Sequence, residues 1–211
     1  MTDEPRLCLA SASPRRRELL AQLGIAHVVA PADIDERRRD GEAAADYVLR
    51  MAQEKAARIA ADPARSLGLP VLGADTSVVV QGRVLGKPAD AAESREMLAL
   101  LSDRTHEVLS AVTLHGPQGV ASRLARTEVR FRRIEAEEAQ AYWASGEPRD
   151  KAGGYAIQGR AAAFVAALSG SYSGVVGLPL FETASLLAGA GLAPWAGAPP
   201  RVTAVRPRAL A

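Results

Sequence analysis

Leu9-Ala-Ser-Ala-Ser-Pro-Arg-Arg-Arg-Glu-Leu-Leu20 predicts a strand, a turn and the start of a helix in close succession. The strand comes from a short apolar run at residues 7–9. Ser13 followed by Pro14 is typical of a helix N-terminus, because the serine hydroxyl caps free amides and the proline ring presets φ. Leucines at helical spacing follow, and Gly24 predicts where the helix ends. A strand–turn–helix unit therefore opens the fold.

The first turn of this helix carries Arg15, Arg16 and Arg17, although the positive end of the helix dipole favours acidic residues there. Each exposed cation at such a position costs roughly 0.3–1 kcal/mol. Free amides, serine hydroxyls and guanidinium groups are together the donors that bind a phosphate chain. A solvated basic turn is the alternative, but the strand–turn–helix setting favours a phosphate site.

The composition is that of a globular protein: 211 residues, 24% charged, 48% hydrophobic and a net charge of +2. Aromatic residues are only 4%, and single-stranded nucleic-acid binders interleave aromatic with basic residues. We therefore expect no nucleic-acid partner. The N-terminal region lacks an apolar signal core and no run approaches membrane-spanning length, so we expect no membrane partner. The single cysteine, Cys8, excludes an internal disulfide, and we expect a cytoplasmic protein.

Only three of the 26 basic residues are lysine, at Lys55, Lys87 and Lys151. A chain this biased towards arginine can need a compact, flexible ammonium group where it keeps lysine. Residues 42–61 predict a helix, and Lys55 falls in the middle of its apolar stripe. A lysine there must either extend to solvent or meet an anion, and both interpretations stay open.

Residues 70–80 predict a buried strand with a polar centre at residues 73–77. An unpaired carboxylate inside a buried strand would be costly. We therefore expect Asp75 and Thr76 in a cleft, as acid–base or metal-binding groups; an aspartate held by backbone amides is the alternative. A hairpin then leads to Gly86-Lys87-Pro88, which is not a P-loop because proline replaces the required serine or threonine.

The rest of the chain predicts further strands and helices. We expect strands over residues 26–30, 105–115, 120–134 and 161–168, helices over 91–101, 135–145 and 179–188, and a loop over 170–174. His106 stands alone and predicts a packed, hydrogen-bonded histidine. From residue 189 the Gly/Ala/Pro-rich sequence predicts a loosely attached tail. One domain over residues 1–188 and a tail over 189–211 follow.

The candidate residues, taken as chemistry, fit metal-assisted attack of water on a phosphoryl group. Asp35, Glu36 and Asp75 offer the oxygen ligands of a hard divalent cation, and a carboxylate can also act as the base. Lys55 and Lys87 add mobile positive charge. The sequence has no His/Cys cluster of the kind that binds zinc.

Six motifs occur in order between residue 7 and about residue 187. They are LASASPRRRELL (9–20), EKA (54–56), GADTSVVV (73–80), GKP (86–88), SDRTHEV (102–108) and KAGGYAIQG with GSYSGVVGLPL (151–180). Together they resemble the Maf family of nucleoside triphosphate pyrophosphatases. The resemblance implies metal-dependent hydrolysis of a nucleoside triphosphate to the monophosphate and pyrophosphate, with Mg²⁺ or Mn²⁺. It also implies an α/β fold, with a central mixed twisted sheet flanked by helices and a cleft between two lobes, similar to inosine triphosphatases.

The resemblance also implies roles for residues at the matching positions. Ser11, Arg15 and Arg16 would hold the triphosphate, and Lys55 and Lys87 would neutralise phosphate oxygens. All five residues lie within the quoted motifs. Arg17 has no implied role and is expected to be solvated.

The implied reaction centre is Asp75, which would accept the proton of the attacking water, with Glu36 and Asp75 near the metal. The KAGGYAIQG segment resembles the dTTP/UTP-hydrolysing branch of the family, in which positions matching Arg15, Thr76 and Gln158 bear on base specificity. A glutamine amide offers both a donor and an acceptor, which suits the O4/N3–H edge of uracil or thymine.

Two alternative functions remain open. One is the 7-methyl-GTP-hydrolysing branch of the same family, which has a more acidic segment at this place. The other is a non-catalytic nucleotide-binding regulator of cell division that acts through a partner. The complete set of Asp75, Lys87 and Glu36 argues against a pure binder, which needs no base. The resemblance further implies a homodimer.

Overall fold

A mixed sheet of seven strands forms the centre of the computed structural model, which describes residues 4–194. The strands are β1 (Leu7–Leu9), β2 (His27–Val29), β3 (Val71–Val80), β4 (Arg83–Leu85), β5 (Thr105–Gly116), β6 (Gly119–Phe131) and β7 (Val165–Ser169). The helices are α1 (Pro14–Gln22), α2 (Ala44–Ala60), α3 (Pro63–Ser66), α4 (Ala91–Leu101), α5 (Ala136–Ala144), α6 (Tyr172–Val176) and α7 (Leu180–Gly189). A mixed sheet flanked by helices confirms the predicted α/β class.

The sheet has the order β2-β1-β3-β5-β6-β7, and β4 pairs with β3 as a hairpin. Strand β1 runs parallel to both β2 and β3. The pairs β3–β5, β5–β6 and β6–β7 are antiparallel. Parallel neighbours need a crossover connection, and α1 and α2 lie in the two crossovers that join β1, β2 and β3 along the chain.

The long strand β3 passes through two hydrophobic cores. Leu72 and Ala74 pack in a core with residues of β1, α1 and α7. Val78 and Val80 pack in a second core with residues of α4, α5 and β6. The polar centre of β3 lies between the two cores, as the predicted arrangement of two lobes with a cleft requires.

Helix α2 packs closely on the opposite face of β3 from α1. A Cβ atom at Gly73 would overlap the backbone of Ala52 and Ala56, so only glycine permits this approach. Because side chains alternate along a strand, Gly73 and Asp75 share that face. The predicted apolar stripe of α2 is confirmed, and Lys55 is buried with it. Close packing at Gly73 therefore brings Lys55 to Asp75.

Two predictions in the C-terminal third of the chain are wrong in part. The expected strand over 161–168 is a 3-10 turn at Arg160–Phe164 followed by β7. The turn begins there because the carboxylate of Glu147 accepts the N–H groups of Arg160 and Ala161. The expected loop over 170–174 instead leads into α6, whose first turn is capped by the hydroxyl of Ser171.

The domain boundary near residue 188 remains a prediction. Helix α7 ends at Gly189, and the half-buried side chains of Ala190 and Leu192 pack against the core that contains α1. The remainder of the predicted tail, residues 195–211, lies outside the described residues. No helix within residues 4–194 is long and apolar enough to cross a membrane.

His106, on β5, is buried as predicted. Its Nε2 lies 2.8 Å from the hydroxyl oxygen of Tyr155, and its ring packs edge-on against Phe131. Its Nδ1 has no hydrogen-bond partner within residues 4–194. The prediction of a packed histidine is therefore confirmed, whereas only one ring nitrogen is hydrogen-bonded.

This burial predicts a pH-dependent stability. Burial lowers the pKa of His106 to about 4, against about 6.5 in an unfolded chain. Between these values the unfolded chain binds a proton that the folded protein does not, so the free energy of unfolding falls as the pH falls. We expect His106 to contribute a loss of about 1 kcal/mol between pH 7.5 and pH 5.5. Urea unfolding at the two pH values measures it.

The control separates His106 from other titrating groups. In His106→Gln that part of the pH dependence should vanish, whereas it should persist when the half-exposed His115 is replaced by glutamine. The same pH dependence in His106→Gln and in the unsubstituted protein would contradict the assignment.

Candidate active site

A cleft of about 710 Å³ lies between the two lobes and collects nine of the ten candidate site residues, all except Asp35. Its walls come from the end of β1, the start of α1, the centre of β3 and the loops that follow β4 and α5. The nine candidates that line it are Ser11, Arg15, Arg16, Glu36, Lys55, Asp75, Thr76, Lys87 and Gln158. Residues from five motifs far apart in sequence, together with Glu36, thus share one cavity.

The start of α1 forms the cationic end of the cleft. Arg16 donates from Nε to the carbonyl of Gly177 at 2.9 Å and from Nη1 to the Ser11 hydroxyl at 3.2 Å. Burial lowers the pKa of the Arg16 guanidinium, and the charge of Asp75 acts against that change. Burial likewise lowers the pKa of Arg15. Arg17 is exposed and does not line the cleft, as expected.

Lys55 bridges two carboxylates at the centre of the cleft. Its Nζ lies 2.8 Å from Asp75 Oδ1 and 2.7 Å from Glu36 Oε1. The side chains of Lys55 and Asp75 are 9% and 12% exposed, whereas that of Glu36 is 53% exposed. Lys55 therefore meets anions, which settles the choice between the two interpretations of its place on α2. The partner of Asp75 is likewise an ammonium group and not a set of backbone amides.

Glu36 stays ionised in this setting. Burial acts to raise the pKa of Glu36, but the hydrogen bond from Lys55 and the charges of Lys55, Lys87 and Arg16 outweigh it and hold the pKa below its usual value. Lys87 itself is exposed at the cleft. The positive charges of Lys55, Lys87 and Arg16 thus keep Glu36 a carboxylate.

The hydrogen bonds of Asp75 within residues 4–194 use Oδ1. The second carboxylate oxygen keeps its capacity to accept a proton from water, which is the property that a general base needs. Glu36 and Asp75 also suit a divalent cation, since Mg²⁺ is commonly bound by one or two carboxylates together with phosphate oxygens and water. No group of three or more His, Cys, Asp or Glu side chains suited to a metal occurs within residues 4–194.

Thr76 and Gln158 lie on different walls of the cleft. The Thr76 hydroxyl is 2.9 Å from that of Ser110 and 3.3 Å from the carbonyl oxygen of Gly177. Gln158 is exposed in the loop that follows α5. The carbonyl oxygen of Gly177 therefore accepts hydrogen bonds from both Arg16 and Thr76.

Sequence reasoning missed several groups of the cleft. Tyr47 lines it and donates to the carbonyl of Glu36 at 2.8 Å; burial and the nearby carboxylates raise the pKa of Tyr47 to about 12. Its place about two turns before Lys55 on the same helix was a usable signal. The carbonyl of Gly177 had no such signal in the sequence, because every residue has a backbone carbonyl. Asp35, a candidate metal ligand, instead pairs with the exposed Arg37 and does not line the cleft.

The fold and the cleft define an α/β protein in which arginine and lysine side chains lie beside two carboxylates in one cleft. Residues 6–190 match the family described as Maf-like protein, and the chain belongs to this family.

Curated relatives of this chain carry a common name. The dTTP/UTP pyrophosphatases of Bordetella parapertussis and Bordetella bronchiseptica are each 54% identical to it over 197 residues, covering 90% of this chain and 95% of theirs. The dTTP/UTP pyrophosphatase of Methylococcus capsulatus is 53% identical over 190 residues, covering 90% and 93%.

Among solved structures, the Ham1 protein of Staphylococcus aureus overlaps with a TM-score of 0.41 and 17% identity, over 59% of this chain and 71% of that one. A TM-score of this size does not establish a common fold. Similarity to inosine triphosphatases therefore stays a prediction.

Proposed function

We propose that this protein hydrolyses dTTP and UTP to the nucleoside monophosphate and pyrophosphate. The observation that carries the proposal is the cluster of Asp75, Lys55 and Glu36 in the same cleft as Arg16. In this proposal Asp75 is the proton acceptor, and the cations beside it bind the polyphosphate. The name of the relatives that are 53–54% identical over most of this chain supports the substrate class.

The reaction is a displacement at the α-phosphorus. The oxygen of a water molecule forms a bond to that phosphorus, its proton passes to Asp75, and the bond to the bridging oxygen breaks to release pyrophosphate. Ser11, Arg15 and Arg16 hold the phosphate chain. Lys55 orients the Asp75 carboxylate through its hydrogen bond, and Lys87 balances charge at the cleft.

The proposal includes a divalent cation, Mg²⁺ or Mn²⁺. Glu36 and Asp75 would hold it, since two carboxylates completed by phosphate oxygens match the ligands that these ions prefer. When bound, such a cation neutralises charge on the phosphate oxygens and on the leaving pyrophosphate.

Base selection is assigned to Gln158, Thr76 and Arg15. The amide of Gln158 can donate to O4 and accept from N3–H of uracil or thymine. The neighbouring hydroxyls of Thr76 and Ser110 offer further hydrogen-bonding capacity. The proposal further places the enzyme in the cytoplasm as a homodimer, with no nucleic-acid or membrane partner; sedimentation of the purified protein tests the dimer.

The experiment that tests the function is pyrophosphate release from dTTP, UTP, CTP, dUTP, GTP and 7-methyl-GTP, with Mg²⁺ or Mn²⁺ and with a chelator. We expect turnover of dTTP and UTP that the chelator abolishes. Turnover of 7-methyl-GTP alone would keep the mechanism and overturn the base assignment. Nucleotide binding without turnover of any substrate would instead support the non-catalytic regulator.

A further inference from the structure

The loop that carries Gln158 is a tight turn with a defined shape. The N–H of Gly159 donates to the carbonyl of Ala156 at 3.0 Å, which closes the turn around Gln158. Gln158 is exposed and lines the cleft, whereas Ala156 and Ala161 on either side are buried. The position of the Gln158 amide therefore depends on what holds the backbone before and after it.

Two side chains from outside the turn hold both of its ends. The Tyr142 hydroxyl accepts the N–H of Ala156 at 3.1 Å and donates to Glu147 Oε1 at 2.8 Å. Glu147 in turn accepts the N–H of Arg160 at 3.0 Å through Oε2 and that of Ala161 at 3.3 Å through Oε1. A continuous chain of hydrogen bonds thus joins the backbone before Gln158 to the backbone after it.

Both side chains are held in the ionisation state that this chain of bonds needs. Burial raises the pKa of Tyr142, so the phenol keeps the proton that it donates. Burial acts to raise the pKa of Glu147, but hydrogen bonds from Arg160, Tyr142 and Ala161 outweigh it and lower the pKa. Glu147 therefore stays a carboxylate, which accepts hydrogen bonds on both oxygens.

Gly159 leaves the space that Glu147 occupies. A Cβ atom at Gly159 would overlap both carboxylate oxygens of Glu147, although the φ of Gly159 itself lies outside the left-handed region. A side chain there would push the carboxylate away from the N–H groups that it accepts. The absence of a side chain at Gly159 is thus part of the same arrangement.

We propose that Tyr142 and Glu147 are positioning residues that set the base preference of the enzyme by fixing the turn around Gln158. Neither side chain is among the described residues that line the cleft, so both act through the backbone of that turn. The inference rests on the proposed function, because it assumes that Gln158 contacts the base.

The test uses the variants Tyr142→Phe, Glu147→Gln and Gly159→Ala in the full-length protein. We expect each to raise KM for UTP about tenfold, as the loss of one or two hydrogen bonds implies, with kcat little changed. The ratio of kcat/KM for UTP to that for GTP should fall by a similar factor. The double variant of Tyr142→Phe and Glu147→Gln should show no larger fall in this ratio than either single variant, since both substitutions interrupt the same chain of hydrogen bonds.

Controls and melting temperatures separate positioning from plain stability. Glu137→Gln on the exposed face of α5 and Tyr172→Phe on α6 make the same chemical changes away from the turn, and should leave the ratio unchanged. Variants that melt earlier but keep the ratio of the unsubstituted enzyme would overturn the inference.

Failure of the proposed function would give a different result from failure of this inference. If the unsubstituted protein turns over neither UTP nor GTP, its dissociation constants for the two nucleotides, measured by calorimetry, replace kcat/KM. The same variants should then reduce the preference in binding, and an unchanged preference would overturn the inference.

Discussion

Asp75→Asn is expected to lower the rate of pyrophosphate release from dTTP and UTP by at least about 100-fold, the effect typical of losing a general base. Asparagine keeps the size of the side chain, and its carbonyl oxygen can still accept from Lys55, which lies 2.8 Å from Asp75 Oδ1. It loses the negative charge, and with it the capacity to take up a proton and one of the two carboxylates proposed to hold the cation. Steady-state kinetics with a melting curve measure activity and folding separately.

Asp35→Asn is the matched control. Asp35 comes from the acidic loop that also carries Glu36, but its carboxylate pairs with the exposed Arg37 and lies off the cleft. We expect this variant to keep its activity. Full activity of Asp75→Asn would remove Asp75 from the mechanism, and a loss in Asp35→Asn equal to that in Asp75→Asn would place the base elsewhere in the acidic loop.

Gly73→Ala is expected to reduce both stability and activity. The new methyl group would overlap the backbone of Ala52 and Ala56, and backbone cannot move aside as the tip of a side chain can. Overpacking of this kind costs about 1–3 kcal/mol of the free energy of unfolding. Relief requires α2 to move away from β3, which would separate Lys55 from Asp75. Urea unfolding and kinetics on the folded variant measure the two effects.

Gly116→Ala serves as its control, because a Cβ atom there meets its neighbours at ordinary van der Waals distances. Its free energy of unfolding should change by no more than about 0.5 kcal/mol. If Gly73→Ala were as stable and as active as Gly116→Ala, the close approach of α2 could not be what sets the spacing between Lys55 and Asp75.

Local patterns in the sequence account for most of the secondary structure. The Ser13–Pro14 start of α1 and the apolar stripe of α2 depend on neighbouring residues, and both are confirmed. The turn at Arg160–Phe164 was mispredicted because its first N–H groups bind a carboxylate 13 residues upstream. An apolar, alanine-containing run carries no local mark of such a partner.

The placement of the nine candidate residues in one cleft follows from motifs that the sequence contains, although their catalytic roles stay predictions. The groups that hydrogen-bond to those residues and hold them in place could not be predicted from motifs. Gly177 binds Arg16 through its backbone carbonyl, a group that carries no residue-specific signal. Glu147 contacts the backbone of the turn at Arg160 and Ala161, and no local pattern around Glu147 predicts those contacts.

The sequence by itself determined the α/β class, the order of most elements, the family and the set of candidate residues, because these depend on local spacing and on motifs. Only the tertiary structure decided that Lys55 joins Asp75 and Glu36, and that Tyr142 and Glu147 hold the turn at Gln158. The physical reason is that these contacts join different elements of the fold, so no local pattern specifies them. They depend on the packing of α2 on Gly73 and on the place of the loop after α5 at the wall of the cleft.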